Sequence, residues 1–201
     1  MIPITLSDLD NAKNAVKKLF GDDGKIISDV IRRFPYNTDP TEVAIKISVI
    51  NLVDSVQLAR SKSKLSLCNL VDIILSISDF DRRIEEGYPS LVEEIAKQSK
   101  KNHNINVFSF ASKYCHYHNS CVHDKDDYSI YDSIVGCNLY RFDDEIKKTY
   151  PDKWRSECDY RSYNDAIGRI LEKNNIAHPK KRALFDNFVW YHGRSSAPFN
   201  F

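Results

Sequence analysis

Hydrophobic residues recur every three to four positions along most of the chain, and runs that alternate apolar and polar residues over strand length are nearly absent. The first spacing is that of one face of an α-helix, whereas strict alternation is typical of a half-buried strand. No internal repeat and no low-complexity linker interrupts the pattern. The sequence therefore predicts an all-α protein that forms a single compact domain over residues 1–201.

Capping residues mark where the predicted helices begin. Ser7, Asp39 and Asp132 each precede a helical pattern and are predicted N-cap residues. Ser90 stands three residues before Glu93, which is the spacing of a capping box. The predicted helices cover residues 9–20, 24–34, 41–60, 65–78, 91–101, 107–118, 133–150, 162–173 and 180–192.

Length and composition are those of a globular protein. With 201 residues, 42% of them hydrophobic and 28% charged, the chain can bury a core without disulfides or metals to staple it. No apolar run is long enough to span a membrane, and the first residues do not resemble a secretory leader. Five cysteines without an export signal predict reduced thiols. We therefore expect a cytoplasmic protein without a membrane partner.

The net charge of +1 argues against a strong non-specific binder of nucleic acid, but the basic residues are clustered. Such clusters are usually solvated helix ends, and the alternative is that one face of the protein is positive. The clusters are Lys13, Lys17 and Lys18; Arg60, Lys62 and Lys64; Lys97, Lys100 and Lys101; and Lys180, Lys181 and Arg182.

Five side chains between residues 115 and 123 are of the types that bind zinc: Cys115, His116, His118, Cys121 and His123. Structural zinc sites usually draw their second pair of ligands from a separate element, whereas all of these lie within nine residues. The sequence therefore favours no metal and no cofactor. We expect Cys115 and His118 to face the core, and His116 and His123 to be solvated or to touch a ligand.

Two further residues in this region are candidates for chemistry, namely Lys113 and Asp132. Lys113 lies on a helix that follows the short polar turn "NHNIN" and a preceding helix, which together form a helix–hairpin–helix arrangement. Asp132 follows a polar loop at residues 119–131 and begins the next helix. A separation of 19 positions means little by itself, so the surrounding residues must supply the specificity.

The stretches "SFASKYCHYHN" and "YSIYDSIV" resemble the helix–hairpin–helix (Gly-Pro-Asp) DNA glycosylase superfamily, and in particular its 8-oxoguanine DNA glycosylase-fold branch. In that family a lysine on the second hairpin helix is followed, at this separation, by an aspartate at a helix start. The resemblance covers residues 40–192 in helix order and residues 108–135 in motif. The hairpin "HNINVFSF" departs from the family pattern because it contains no glycine and no proline.

The resemblance implies a two-lobed helical bundle, with one lobe at residues 40–118 and the other formed by residues 1–39 and 119–201. It implies that Asp132 stabilises the positive charge that develops on the sugar as the glycosidic bond breaks. Lys113 is implied to attack C1′ as a neutral amine, which burial in a cleft favours, and to form a Schiff base that supports strand scission. The partner is then double-stranded DNA with one base extruded into the cleft.

The resemblance also assigns residues to the base and to the DNA backbone. The implied base pocket consists of Asn51, Gln57, Trp190, Tyr191 and His192. The implied DNA-binding residues are Asn104, Asn106 and Ser109 in the hairpin region, with Lys100, Lys101 and Arg60 adding positive charge.

The function expected from these features is a monomeric DNA glycosylase, with possible AP-lyase capability, that excises a damaged or modified base. The substrate is either a modified cytosine of phage DNA, in antiviral defence, or an oxidised purine, in DNA repair. The alternative is a non-catalytic helical module that binds nucleic acid or protein.

Overall fold

The computed structural model describes residues 2–21, 23–54 and 65–194. This part of the chain is all helical and contains no strand, so the predicted fold class is confirmed. Its helices are α1 (Leu6–Phe20), α2 (Asp23–Arg33), α3 (Pro40–Val53), α4 (Leu67–Ser76), α5 (Phe80–Glu85), α6 (Pro89–His103), α7 (Phe108–Val122), α8 (Ser133–Asn138), α9 (Tyr150–Glu157), α10 (Tyr160–Lys173) and α11 (Lys181–Arg194). None of these helices is long and apolar enough to cross a membrane.

Two of the predicted N-caps are confirmed. The Oδ1 atom of Asp39 accepts hydrogen bonds from the backbone amides of Thr41 and Glu42, at 2.8 and 2.9 Å. The Oδ1 atom of Asp132 accepts from the amide of Ile134 at 2.7 Å. Each carboxylate thus satisfies amides that have no partner within the first turn of the helix.

The other two predicted caps are wrong. Helix α1 is capped by Thr5 in a capping box with Asp8, so Ser7 lies inside its first turn. Helix α6 begins at Pro89, and Ser90 is likewise inside the helix. Proline has no amide to satisfy and a fixed φ, which suits it to the first helical position and moves this start ahead of the serine.

The predicted helix over residues 133–150 is broken in the structure. Helix α8 ends at Asn138, and a short 3-10 turn leads into a loop where the fully buried Asp143 accepts from the amide of Glu145 at 3.2 Å and from Nζ of Lys173 at 2.9 Å. A side chain that binds a nearby amide in this way offers the backbone an alternative to helix. The sequence pattern missed α9, which follows this loop, and the short helix α5.

Helix α7 runs through the interior and continues to Val122, four residues beyond its predicted end at residue 118. Its last turn is held by the buried Asn119, which donates to the carbonyl of Ile84 at 2.8 Å and to the carboxylate of Asp127 at 3.0 Å. The side-chain oxygen Oδ1 of Asn119 in turn accepts from the backbone amide of Asp127 at 3.0 Å. These bonds fix the loop that leads from α7 towards α8.

The helices pack in two groups that meet where α10 packs on α6. Helix α7 contacts α2, α3, α5 and α6, while α11 contacts α1, α8 and α10. Helix α10 also packs on α6 and so joins the groups. Helices α2 and α7 touch although the predicted division assigns them largely to different lobes; the lobe boundary stays a prediction.

A lysine lies in the core between α2, α3 and α7. Lys46 is fully buried, and its Nζ donates to the carbonyls of Phe34 and Tyr36, at 3.1 and 2.6 Å, and to Oδ1 of Asn37 at 2.9 Å. The hydroxyl of Tyr114 on α7 donates to the same Asn37 oxygen at 2.6 Å. Burial lowers the pKa of Lys46 to about 8. The network fixes the α2–α3 connection against α7.

Replacing Lys46 by methionine is expected to lower the free energy of unfolding by about 3 kcal/mol, because the carbonyls of Phe34 and Tyr36 lose their donor and Asn37 loses one of its two, while the volume is kept. Urea denaturation followed by circular dichroism measures the change. Ser48→Ala on the exposed side of α3 is the matched control, with an expected change within about 0.5 kcal/mol. Equal stability of the two variants would show that the Lys46 network does not hold the fold.

Candidate functional site

A cleft of about 770 Å³ lies where the middle of α7 meets the end of α3, the start of α8 and the inner face of α11. Helices α1 and α2 and one side chain of α9 border it. The volume is within the range of pockets that hold small organic ligands, which is about 300–1,000 Å³. The cleft brings together side chains from seven helices that span the chain from α1 to α11.

Lys113 and Asp132 both line this cleft. A buried hydrogen bond places them there: the backbone amide of Tyr131 donates to the hydroxyl of Ser112 at 2.9 Å. Lys113 and Asp132 are the residues that directly follow these two partners in the chain. The bond therefore fixes the register between α7 and the segment before α8, and it turns both candidate residues towards one cavity.

The amine of Lys113 is held by Asp54, the residue that ends α3. Its Nζ lies 3.1 Å from Oδ1 and 3.0 Å from the backbone carbonyl of Asp54, and the lysine side chain is only 7% exposed. The hydroxyl of Tyr117 donates to the other carboxylate oxygen of Asp54 at 3.0 Å. Asp54 is thus bound through both oxygens, and it places the amine at the wall of the cleft.

Asp186 on α11 is a third carboxyl group in the cleft, after Asp54 and Asp132. Its Oδ1 is buried and has no hydrogen-bond partner within the described residues. Burial raises the pKa of Asp186 well above its ordinary value, the negative charges of Asp132 and Asp54 raise it further, and Lys113 acts in the opposite direction. The group is therefore biased towards the neutral acid, which can donate a hydrogen bond or a proton.

His116 lies on the same face of the cleft as Lys113 and is only 7% exposed. Its Nδ1 is 2.8 Å from the carbonyl of Tyr128, and since a carbonyl can only accept, Nδ1 carries the hydrogen. Burial is the main cause that lowers the pKa of His116, so the ring is biased towards its neutral form. Nε2 is then an acceptor. The aromatic rings of Tyr117, Tyr131 and Trp190 complete the walls.

The predicted base-pocket residues are only partly at the cleft. Trp190 lines it, whereas Tyr191 and His192 do not: Tyr191 is 37% exposed and the His192 ring packs on Phe188 at 4.8 Å. The reason is the helical repeat, since positions one and two residues after Trp190 are rotated by about 100° and 200° around α11. Asn51 lies on α3 shortly before Val53 and Asp54, which line the cleft, and is not itself a lining residue. Gln57 lies outside the described residues.

Two of the predicted DNA-binding residues are engaged within the protein. Nζ of Lys100 donates to the carbonyl of Ser156 at 2.7 Å, and Nδ2 of Asn106 donates to the carbonyl of Arg155 at 2.6 Å. The Asn106 Oδ1 accepts from the amide of Phe108 at 2.9 Å and so supports the start of α7. These side chains therefore fix α9 against the α6–α7 turn rather than projecting towards a ligand.

The remaining predicted DNA-binding residues have different environments. Ser109 lines the cleft, and Lys101 is exposed near the end of α6. Asn104 ends α6 with a left-handed backbone, φ 57°, which is the conformation that glycine often supplies at a helix end. An asparagine tolerates it, which is how the hairpin closes without glycine. Arg60 lies outside the described residues.

The expected core positions of Cys115 and His118 are confirmed, as both are buried. Burial raises the pKa of the Cys115 thiol and lowers that of His118, whose ring packs on Tyr114 at 4.8 Å. Cys121 and His123 are half-buried. In residues 2–21, 23–54 and 65–194 no three His, Cys, Asp or Glu side chains are grouped so as to hold a metal ion.

Comparison with known proteins gives a family and a distant relative. The family model of HI_0787_N, described as an N-terminal domain, matches residues 5–125, more than half of the chain. A protein of Haemophilus influenzae strain Rd, described as uncharacterized, is 27% identical over 163 residues, which cover 81% of this chain and 73% of the relative. No solved structure matches the chain.

The assignment to the helix–hairpin–helix glycosylase superfamily is wrong. The family model that matches covers the hairpin and Lys113, and it is not a model of that superfamily. The motif extended only over residues 108–135, and two helices joined by a short turn occur in many unrelated all-α proteins. The chemistry of the cleft must therefore be argued from its own geometry.

The raised pKa of Asp186 predicts a pH dependence of stability. The folded state holds its proton more tightly than the unfolded chain, whose aspartates titrate near pH 3.9. The stabilising contribution is full below that pH and is lost as the pH rises. We therefore expect Asp186→Asn, which cannot ionise, to gain stability relative to the parent protein between about pH 4 and pH 8.

Urea denaturation at about pH 4, 6 and 8 measures this difference for Asp186→Asn. The control is Asp165→Asn on the exposed face of α10, for which the difference from the parent protein should vary much less with pH. A stability difference for Asp186→Asn that does not change over this range contradicts the raised pKa.

Proposed function

The chain belongs to the HI_0787_N N-terminal domain family, and we propose that this member is a DNA glycosylase that excises a modified or damaged base. One observation carries the proposal: an amine and a carboxylate, Lys113 and Asp132, line a single cleft large enough for an extruded nucleotide. The amine attacks the sugar and the carboxylate stabilises the charge that develops there. The proposal rests on this geometry alone and not on a family resemblance.

The first step requires the amine of Lys113 to lose a proton. The Oδ1 atom of Asp54 is 3.1 Å from Nζ and accepts that proton. The lone pair of Nζ then forms a bond to C1′, and the electron pair of the bond between C1′ and the base leaves with the base. The sugar ring opens as the nitrogen lone pair forms a C=N double bond and the nitrogen proton passes to O4′, which leaves a Schiff base.

Asp132 acts while the glycosidic bond breaks. Positive charge spreads over C1′ and the ring oxygen of the sugar in the transition state, and a fixed carboxylate nearby stabilises that charge more than it stabilises the neutral ground state. The bond from the Ile134 amide to Oδ1 holds the carboxylate in one orientation before substrate binds. Preorganisation of this kind avoids reorientation during the reaction.

The departing base needs a proton, and Asp186 is the group suited to give it. It lines the same cleft, and burial raises its pKa, which favours the neutral acid, the form that can donate a proton. Trp190 and Tyr117 offer ring faces for the extruded base, and the bare Nε2 of His116 can accept a hydrogen bond from an amino group. These groups read the base once it has left the stack.

The size of the cleft favours an enlarged base among the possible substrates. At about 770 Å³ it lies in the upper part of the range for small-molecule pockets. An oxidised purine adds little volume to a normal base, whereas a cytosine that carries a substituent, as in phage DNA, fills more of the space. We therefore place modified cytosine ahead of oxidised purine, and antiviral defence ahead of repair.

A second function has one contact in its favour. A purely structural lysine would also form the ion pair between Lys113 and Asp54. The pair neutralises a largely buried charge at the junction of α3 and α7. A non-catalytic module would use the same cleft to bind an extruded nucleotide without forming a covalent bond. Covalent capture separates the two functions.

The test is reductive trapping with borohydride, which converts a Schiff base into a stable bond between protein and DNA. Candidate substrates are phage genomic DNA with modified cytosines and duplex oligonucleotides with oxidised purines. We expect a covalent adduct with one of them, no adduct for Lys113→Gln, and base release slowed by about 100-fold or more for Asp132→Asn.

Lys101→Gln, a change of the same kind at an exposed position of α6, serves as the control and should trap like the parent protein. Absence of both adduct and released base with every substrate contradicts the glycosylase proposal. Tight binding that survives Lys113→Gln, again without adduct or released base, favours the non-catalytic module.

A further inference from the structure

The charged residues that line the cleft are separated by sign. The carboxyl groups, together with the largely buried Lys113, come from the interior ends of α3, α7 and α8 and from α11. The exposed cations come from three other helices: Lys13 and Lys17 from α1, Lys25 from α2 and Arg155 from α9. These four residues, the basic rim, surround a cleft in a protein whose net charge is only +1.

From this arrangement we infer that the basic rim binds the DNA phosphates on either side of the extruded nucleotide, in place of the α6–α7 hairpin turn. The inference rests on the proposed function in taking DNA as the occupant of the cleft. It assigns the grip on the backbone to Lys13, Lys25 and Arg155, with Lys17 beside them.

The side chains of Lys13, Lys25 and Arg155 are available to bind an anionic ligand. No ion pair within the described residues engages the side chain of Lys13, Lys25 or Arg155, although other exposed cations such as Arg82 and Lys97 are paired. Cations of one sign around a low-dielectric cleft concentrate the positive field there, even where the net charge is small. Such a field attracts a polyanion to the opening.

The helical repeat explains why α1 contributes two of the four cations. Lys13 and Lys17 are four residues apart and therefore lie on one face of the helix, with Val16 between them at the cleft. The α1–α2 turn brings Lys25 to the same opening, and Gly21 and Gly24 leave open space there because a Cβ at either position would meet no atom within 4 Å. A phosphate can thus approach closely.

Contacts at the α6–α7 hairpin turn also support this inference, because they engage side chains that were predicted to bind DNA. Lys100 and Asn106, which the sequence suggested as DNA contacts, bind the carbonyls of Ser156 and Arg155 instead. These bonds hold the backbone of α9 and so position Arg155 at the rim. The guanidinium of Arg155 extends from this fixed backbone and can bind a phosphate through two parallel hydrogen bonds.

The occupant that fits the rim is a phosphodiester chain rather than a single anion. Its cations come from three helices, α1, α2 and α9, and successive phosphates of a strand can each bind a different one of them. A DNA strand whose central nucleotide enters the cleft has phosphates on both sides of that nucleotide. The basic rim then contacts the DNA phosphates, and the carboxyl groups inside the cleft contact the sugar.

The experiment measures binding to a fluorescent duplex of about 25 base pairs with a central abasic-site analogue, by anisotropy, over a range of KCl concentrations. The rim variant carries Lys13→Gln, Lys25→Gln and Arg155→Gln. The matched control carries Lys97→Gln, Lys101→Gln and Arg161→Gln, which remove the same charge from exposed positions of α6 and α10 that do not line the cleft. Each phosphate contact contributes about 0.9 to the slope of log Kobs against log salt concentration.

We expect the slope to fall by about 2 to 3 in the rim variant and by less than about 0.5 in the control. A variant with Lys13→Arg and Lys25→Arg should keep the slope of the parent protein, which separates loss of charge from loss of packing. Equal slopes for the rim variant and the parent protein, or a larger loss in the control, overturn the inference.

Failure of the inference and failure of the proposed function give different results. If the parent protein forms a borohydride adduct while the rim variant keeps its salt slope, the glycosylase proposal stands and the rim does not. If the salt dependence falls in the rim variant while the parent protein neither forms an adduct nor releases a base, phosphate binding by the basic rim is supported and the glycosylase proposal is contradicted.

Discussion

The hydrogen bond from the amide of Tyr131 to the hydroxyl of Ser112 fixes how α7 lies against the segment that begins α8. Because it is buried, its loss would leave the amide of Tyr131 without this partner, so the register that it sets is the favourable one. The neighbouring residues, Lys113 and Asp132, inherit their positions from it. Hydrogen bonds between the side chain of Asn119 and Asp127 hold the loop after α7 in a conformation that is compatible with this register.

The polar interior of the cleft is a net cost to folding unless a ligand uses it. Lys113 has a partner in Asp54, but Oδ1 of Asp186 is buried without one in the described structure. A protein assembled for stability alone fills such a space with apolar side chains. An unsatisfied acid beside a lysine and two further carboxylates is more typical of a site that completes its hydrogen bonds with a substrate.

Local features of the chain were predictable from sequence, and features that depend on tertiary packing were not. The cap at Asp39 and the helix start at Asp132 follow from neighbouring residues. Asp54 and Asp186 escaped notice because their roles arise only when α3 and α11 meet α7. The assignment to a glycosylase superfamily failed for a related reason, since a short motif records local spacing and carries little information about ancestry.

The two polar ties between α3 and α7 have a mechanical consequence. Lys46 and Tyr114 meet at Asn37 near the start of α3, while Lys113 binds Asp54 at its end. Asn37 precedes α3 and Asp54 follows it, while their partners Tyr114 and Lys113 are neighbours in the middle of α7, so both ends of α3 are tied to one part of α7. Under the proposed function, this junction of α3 and α7 is a fixed wall of the cleft against which the extruded nucleotide would lie.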